Sequence, residues 1–369
     1  MIRTEIIYQL ALSEVPYIGY VHAKILNDHF KTASAIFTAS QQALERIEGI
    51  GEVRARSIRN FRDFTKAEKE AEFINKYGVS CLYLSDTDYP QRLLNCYDPP
   101  TTLFYKGNTS LNESRMVAVV GTRNHTDYGK SVTEKIVKTL SGYNCVVVSG
   151  LAFGIDAIAH KCALRYSIPT IGVVGHGLDT IYPNEHAGLA KQMIRSGGLL
   201  TEFRHKTKPD KHNFPSRNRV VAGITDATII VESSLKGGSM ITAEIADSYH
   251  RDVFAVPGRT SDVKSSGCND LIKRNRAMIM NDPEQIPETL GWLDQGPKKP
   301  IKQKEMFIEL NEYETRLVEL LRNSEMLTID ELNFKSGISS SNLAASLLNL
   351  EMNNVIRLHP GKRYSLTEP

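Results

Sequence analysis

Cysteine and net charge are both scarce in this 369-residue chain, and each scarcity removes a class of protein. The five cysteines (Cys81, Cys96, Cys145, Cys162 and Cys268) are odd in number, scattered, and never spaced as Cys-x-x-Cys. That excludes a disulfide-built scaffold and a zinc ribbon, and it suits a reducing compartment. A net charge of +3 excludes a polycation, so any nucleic-acid surface has to be a local patch. Arg3, Glu5 and Glu14 interrupt the apolar residues of the first fifteen positions. The chain is therefore expected to begin with neither a signal peptide nor a membrane span, and to be cytoplasmic. No His-Glu-x-x-His or Gly-x-Ser-x-Gly occurs, and the ten histidines show no ligand spacing. A catalytic triad and a metal site are not expected, and His160 and His176 read as polar packing residues.

At this length two or three domains are expected. Residues 1–76 read as helical, with apolar positions three to four apart. They contain two similar pieces, Val15-Pro-Tyr-Ile-Gly19 and Ile47-Glu-Gly-Ile-Gly51, each followed by a helical stretch. The second resembles a helix-hairpin-helix element, whose glycine hairpin offers amides to a DNA phosphate; a tight helical turn explains the same glycines. Residues 77–292 alternate strand, turn and helix. The expected strands are Val79–Leu84, Thr102–Lys106, Val117–Val120, Cys145–Val148, Thr170–Val174, Leu199–Glu202, Ala227–Val231 and Val253–Val256. Several are unbroken β-branched runs, as in strands buried on both faces, so the pattern predicts an extended Rossmann-like, doubly wound and mostly parallel α/β sheet. A linker is expected over 293–308, where Asp294–Glu305 holds two prolines and four lysines. Residues 309–369 read as three helices and a hairpin, a winged helix. Its last helix, Ser340–Glu351, carries no Lys or Arg, which leaves DNA contact and protein contact equally open.

Ligands of such sheets bind beyond the carboxyl ends of the strands. Five loops should meet there. Gly121-Thr122-Arg123, with Gly129-Lys130-Ser131 opening a helix, reads as an anion turn, but the Walker spacing fails. Gly150 and Gly154 shape a second turn; the acid that would hold a dinucleotide's ribose is replaced by Ser149-Gly150. The third loop is Gly175-His176-Gly177-Leu178-Asp179. The fourth is Phe214–Arg219; from Phe203 to Arg219 there are six Lys or Arg against one acid, with Phe203 and Phe214 among them, the composition of a single-strand groove. Pairing of its arginines with Glu202 or Glu232 is the structural alternative. The fifth, Gly237-Gly238-Ser239, opens another helix.

Read in order, Gly121-Thr-Arg123, Ser149-Gly-Leu-Ala-Phe-Gly-Ile-Asp156, Gly177-Leu-Asp179 with Tyr182-Pro183, Phe214-Pro-Ser-Arg-Asn-Arg219, Thr242-Ala243 and Val256-Pro-Gly258 closely resemble the DNA processing protein A family (DprA, also called Smf). The resemblance implies a homodimeric single-stranded-DNA-binding protein that loads the RecA recombinase in natural transformation. It implies no cofactor and no catalysis, and adds single-strand-binding protein as a further partner. Carried over by motif, the phosphate site comprises Gly121, Thr122, Arg123, Gly150, Gly154, Arg217, Asn218 and Arg219, with Gly238 and Ser239 from the fifth loop. Lys161, Lys191, Phe214, Lys211 and Arg276 are weaker DNA contacts. Where many members have Gly-Ala beyond Leu271-Ile272, this chain has Lys273-Arg274-Asn275-Arg276. The competing reading is a nucleoside-monophosphate phosphoribohydrolase-like enzyme, from Gly237-Gly238-Ser239 with Thr242 and Glu244.

Overall fold

A computed structural model describes residues 4–293, 310–324, 326–353 and 355–367. Most of the expected linker, 293–308, lies outside the described residues. The chain divides into two compact units, 1–279 and 280–369.

The first unit opens with six helices: α1 (Glu5–Leu12), α2 (Tyr20–Phe30), α3 (Ala33–Thr38), α4 (Gln41–Glu45), α5 (Gly51–Asn60) and α6 (Thr65–Tyr77). The hairpins that precede α2 and α5 touch, with Arg54 Nε donating to the Tyr17 carbonyl at 3.3 Å and Ser57 Oγ to that of Pro16 at 2.8 Å. A sheet follows, built from β1 (Ser80–Tyr83), β2 (Thr102–Gly107), β3 (Met116–Val120), β4 (Val146–Ser149), β5 (Thr170–Val173), β6 (Gly197–Thr201), β7 (Ala227–Ile230), β8 (Asp252–Ala255) and β9 (Met278–Ile279). Between strands lie α7 (Gln91–Leu94), α8 (Asp127–Leu140), α9 (Ile155–Arg165), α10 (Ala187–Arg195), α11 (Asn213–Gly223), α12 (Gly238–Ser248) and α13 (Ser266–Lys273).

The strand order is β1-β2-β6-β5-β4-β3-β7-β8-β9. Strands β6 to β9 in that order pair in parallel, while β2 pairs antiparallel to β6 and β1 antiparallel to β2. The β-branched runs of β3, β4, β5 and β7 are buried throughout because helices cover both faces. The chain winds outward from β3 through β4, β5 and β6, then returns to lay β7 beside β3, so the topological switch falls between β3 and β7. All eight expected strands form. The two-residue β9 follows a helix end that Asn275 closes at φ +55, with Arg276 N bonded to the Leu271 carbonyl and Asn275 N to that of Ile272. Asparagine here takes the left-handed C-cap position that glycine commonly fills.

The helices of residues 1–77 are packed onto this sheet. Leu10, Ala11, Phe64 and Ile74 share a core with Phe104 of β2, and Tyr83 of β1 is buried among Leu12, Leu26 and Ile36.

The second unit holds α14 (Gln285–Thr289), α15 (Glu312–Arg322), β10 (Leu327–Thr328), α16 (Ile329–Ser336), α17 (Ser340–Met352), β11 (Ile356–His359) and β12 (Arg363–Leu366). Three helices around Leu317, Leu332, Leu347 and Leu350, with a small sheet ordered β10-β12-β11, make the winged helix. Capping boxes start α15 at Asn311 and α16 at Thr328.

Candidate nucleic-acid interface

The switch-point crevice is closed from within. Helix α8 starts beside it, where an anion at the Gly121 turn was expected. Thr126 caps that helix, accepting from Gly129 N at 3.1 Å, and the Glu232 carboxylate accepts from Thr126 N at 2.9 Å and from its hydroxyl. Thr122 N donates to the Glu232 carbonyl at 2.7 Å. Gly129 is small of necessity, since a Cβ would lie 3.0 Å from Glu232 Cγ. The positive end of α8 thus already faces a carboxylate, where a dinucleotide would place its pyrophosphate. The expectation that Gly129-Lys130-Ser131 opens an anion site is corrected on this ground.

The open pocket lies beside it, at the carboxyl ends of β4 and β5. Arg123, Gly150, Ala152, Phe153, Val174, Gly175, His176, Tyr182, Pro183, Phe214 and Arg217 line it. Gly121 and Thr122 act through their backbone. A Cβ on Gly121 would come within 2.7 Å of Ile155, and the Thr122 carbonyl accepts from Ile155 N at 3.2 Å. Gly154, at φ +79, lets the second turn pass against the Arg123 backbone, where a Cβ would sit 2.6 Å from the Arg123 carbonyl carbon. These contacts leave Arg123 displayed at the pocket rim, its guanidinium 5.0 Å from the centroid of the Phe214 ring. Among the described residues Arg123 makes no ion pair.

Arg217 approaches the same ring at 5.9 Å but is buried. Its Nη1 donates to the carbonyls of Gly150 and Val173, the latter at 3.0 Å, and its Nε has no partner. Burial pulls its pKa down, Asp156 opposes that, and Arg123 adds to it. Asp156 accepts from the amides of Gly150 (3.2 Å) and Ala152 (3.4 Å); burial raises its pKa, against the pull of Arg217 and these amides. Arg217, whose charge Asp156 favours, therefore forms part of the pocket wall, and among the described residues Arg123 makes no ion pair. Phe153 and Tyr182 are exposed at 43% and 48% and add aromatic surface that the expected phosphate site did not include. Their signal in the sequence was an aromatic inside a glycine turn and another before a proline.

Phe214–Arg219, expected as a loop, forms the first turns of α11, with Pro215 in the first turn where its missing N–H costs no helix bond. As a helix it fans three consecutive side chains in three directions. Arg217 turns toward β4 and β5, Asn218 Nδ2 donates to the Gly238 carbonyl at 3.4 Å, and Arg219 turns to Glu202 at 2.5 Å. Arg219 is thus placed away from the pocket, with its charge spent on a buried carboxylate. Arg204 of the basic run is likewise paired, with Glu14. Lys206, Lys208 and Lys211 are exposed. Ser239 donates to Ser233 Oγ at 2.8 Å, while Gly238 is exposed at the start of α12. Lys161 on α9, Lys191 on α10 and Arg276 after α13 are exposed and do not line the pocket.

The histidines at this edge are structural. His176 accepts from Tyr182 N at 3.2 Å and bonds the Gly177 carbonyl, His186 bonds the Leu151 carbonyl, and His160 bonds Thr170 Oγ1 at 2.7 Å. Burial holds the pKa of His160 down at about 3. Glu244, the acid of the ribohydrolase reading, is exposed on α12 and absent from the pocket lining, which removes the geometric basis of that reading. Among the described residues no helix is long and apolar enough to cross a membrane.

A doubly wound sheet whose switch-point helix is capped by its own carboxylate, with an arginine on an aromatic ring beside it that makes no ion pair among the described residues, defines a Rossmann-like fold. The chain belongs to the DNA recombination-mediator protein A family, whose model matches residues 80–291; a helix-hairpin-helix motif matches 8–71 and a DprA winged helix domain 308–362. It is 32% identical to the Smf protein of Synechocystis over 99% of both chains. Its structure is similar to that of DNA processing protein A from Streptococcus pneumoniae, with a TM-score of 0.66 and 32% identity over 78% of this chain and 98% of that one. It also resembles DNA processing protein A from Helicobacter pylori, described for its single-stranded DNA binding mode, with a TM-score of 0.53 and 32% identity over 57% of this chain and 95% of that one.

Proposed function

We propose that the chain binds single-stranded DNA across the strand ends and presents it to the RecA recombinase, as a cytoplasmic homodimer acting by binding rather than catalysis. The observation that carries this reading is Arg123, which stands over Phe214 with no ion-pair partner among the described residues. A guanidinium for a backbone phosphate beside a ring for a base is the elementary unit of single-strand recognition. The exposed Lys206, Lys208 and Lys211 extend positive charge from that unit, and Phe153 and Tyr182 extend its stacking surface. The Helicobacter relative's single-strand binding supports the choice of ligand. Membership of a recombination-mediator family supports the proposed roles in transformation and RecA loading, with a single-strand-binding protein as a further proposed partner.

The test is a titration of labelled oligo-dT and the matching duplex at several salt concentrations. Wild type is expected to prefer the single strand. Arg123→Ala is expected to bind at least tenfold more weakly and to flatten the log-affinity against log-salt slope by about 0.7, one phosphate contact. Equal affinity for duplex, or an unchanged Arg123→Ala protein, overturns the reading. RecA loading is checked separately, by whether the protein speeds filament formation on DNA coated with single-strand-binding protein.

A further inference from the structure

Arg219 sits two residues beyond Arg217 on α11, and three separate segments close on its guanidinium. Nη2 donates to Glu202 Oε2 at 2.5 Å, at the end of β6. Nη1 donates to the Asp98 carbonyl, ahead of β2. The ring of Tyr20, the first residue of α2, lies 3.9 Å from the guanidinium carbon, and the Tyr20 hydroxyl donates to the same Glu202 oxygen at 2.8 Å. The side chains of Arg219 and Glu202 are only 7% and 3% exposed. A DNA phosphate would have to displace a buried carboxylate to reach this group, and removing one member of such a pair leaves the other charge stranded. The planar fork and stacked ring also fix direction, which a point charge would not.

We infer that Arg219 is a positioning residue rather than a phosphate ligand: through Tyr20 and Glu202 it ties α11 to the N-terminal helices, and so sets where Phe214 and Arg217 stand in the DNA pocket. The inference rests on the single-strand-binding reading for its functional consequence, but its structural half does not. Phe214, Arg217 and Arg219 share one helix, so a shift at the clamp displaces the ring on which Arg123 rests.

Two measurements on the full chain test it. In the first, Tyr20→Leu, which alters no charge, and the charge-balanced double variant Arg219→Gln/Glu202→Gln are titrated with labelled oligo-dT across a salt series, with far-ultraviolet circular dichroism to confirm folding. Each is expected to weaken binding roughly tenfold, in the range of a desolvated cation–π contact, with the salt slope unchanged. Wild-type affinity in Tyr20→Leu, or a slope flattened by about 0.7 in the double variant, overturns the inference. In the second, amide hydrogen exchange is followed without DNA. Tyr20→Leu is expected to speed exchange over Phe214–Gly223 and leave α9 unchanged, and unchanged exchange in α11 overturns the clamp. If wild type fails to bind oligo-dT at any salt, the DNA reading fails alone, and the exchange result still decides the clamp.

Discussion

Arg123 and Arg217 approach one phenylalanine ring, yet only the first is exposed to solvent. Arg217 is buried and spends donors on two carbonyls, with Asp156 favouring its charge, so it organises the turn at Gly150. Phe214 links the two, and its own contribution can be separated from charge. Phe214→Ala is expected to cost about 1–3 kcal/mol of single-strand affinity, the worth of one stacked base, while the salt slope stays at its wild-type value. Fluorescence anisotropy over the same salt series distinguishes this from Arg123→Ala, which alters both. The turn that displays Arg123 was readable in the chain because a buried β-branched strand followed by a glycine turn is a local pattern. The absence of an ion pair at Arg123 among the described residues was not, since which carboxylates reach which arginines depends on contacts such as Arg204–Glu14, 190 positions apart.

Helix α8 shows how an element can carry the form of an anion site and not its function. Its start follows strand β3 and a glycine turn, as a phosphate-binding helix would, but Thr126 and Glu232 complete its cap from 106 positions apart. Glu232→Ala is expected to lower stability by about 1–2 kcal/mol, the cost of losing a cap, measured as a fall in the urea midpoint. Helix α11 makes the opposite point. Its basic, proline-containing start reads as a loop by composition, and only its packing against β5 and the start of α12 makes it a helix. Once helical, its 100° step per residue sends Arg217, Asn218 and Arg219 to separate partners. In the winged helix, α17 bears no Lys or Arg and exposes Leu348 at 60% and Met352 at 73%, so any phosphate contact it made would rest on Ser and Asn rather than on cations.

At the scale of the whole molecule, buried titratable groups tie stability to pH. His160 is held near a pKa of about 3 by burial, against an ordinary 6.5, so the unfolded chain takes up a proton that the folded one refuses. Its contribution is complete above about pH 6.5 and is lost as pH falls toward 3. Between pH 7 and pH 5 the protein is expected to lose roughly 2 kcal/mol through this group, at 1.36 kcal/mol per unit. Urea unfolding at both pH values checks this: His160→Asn should shrink the acid loss relative to wild type, and an undiminished loss assigns it to other groups. The nine-stranded sheet itself was legible almost whole, because β-branched runs and glycine turns are local signals that parallel pairing merely assembles; β9 escaped notice because two residues carry no period. The sequence by itself determined which segments are strands and which loops share the carboxyl edge, since both follow from short-range pattern and the right-handed crossover. Only the tertiary structure decided which charges remain for a ligand. Compensation there is set by distance in space, as between Tyr20 and Glu202, 182 residues apart, and no local pattern records it.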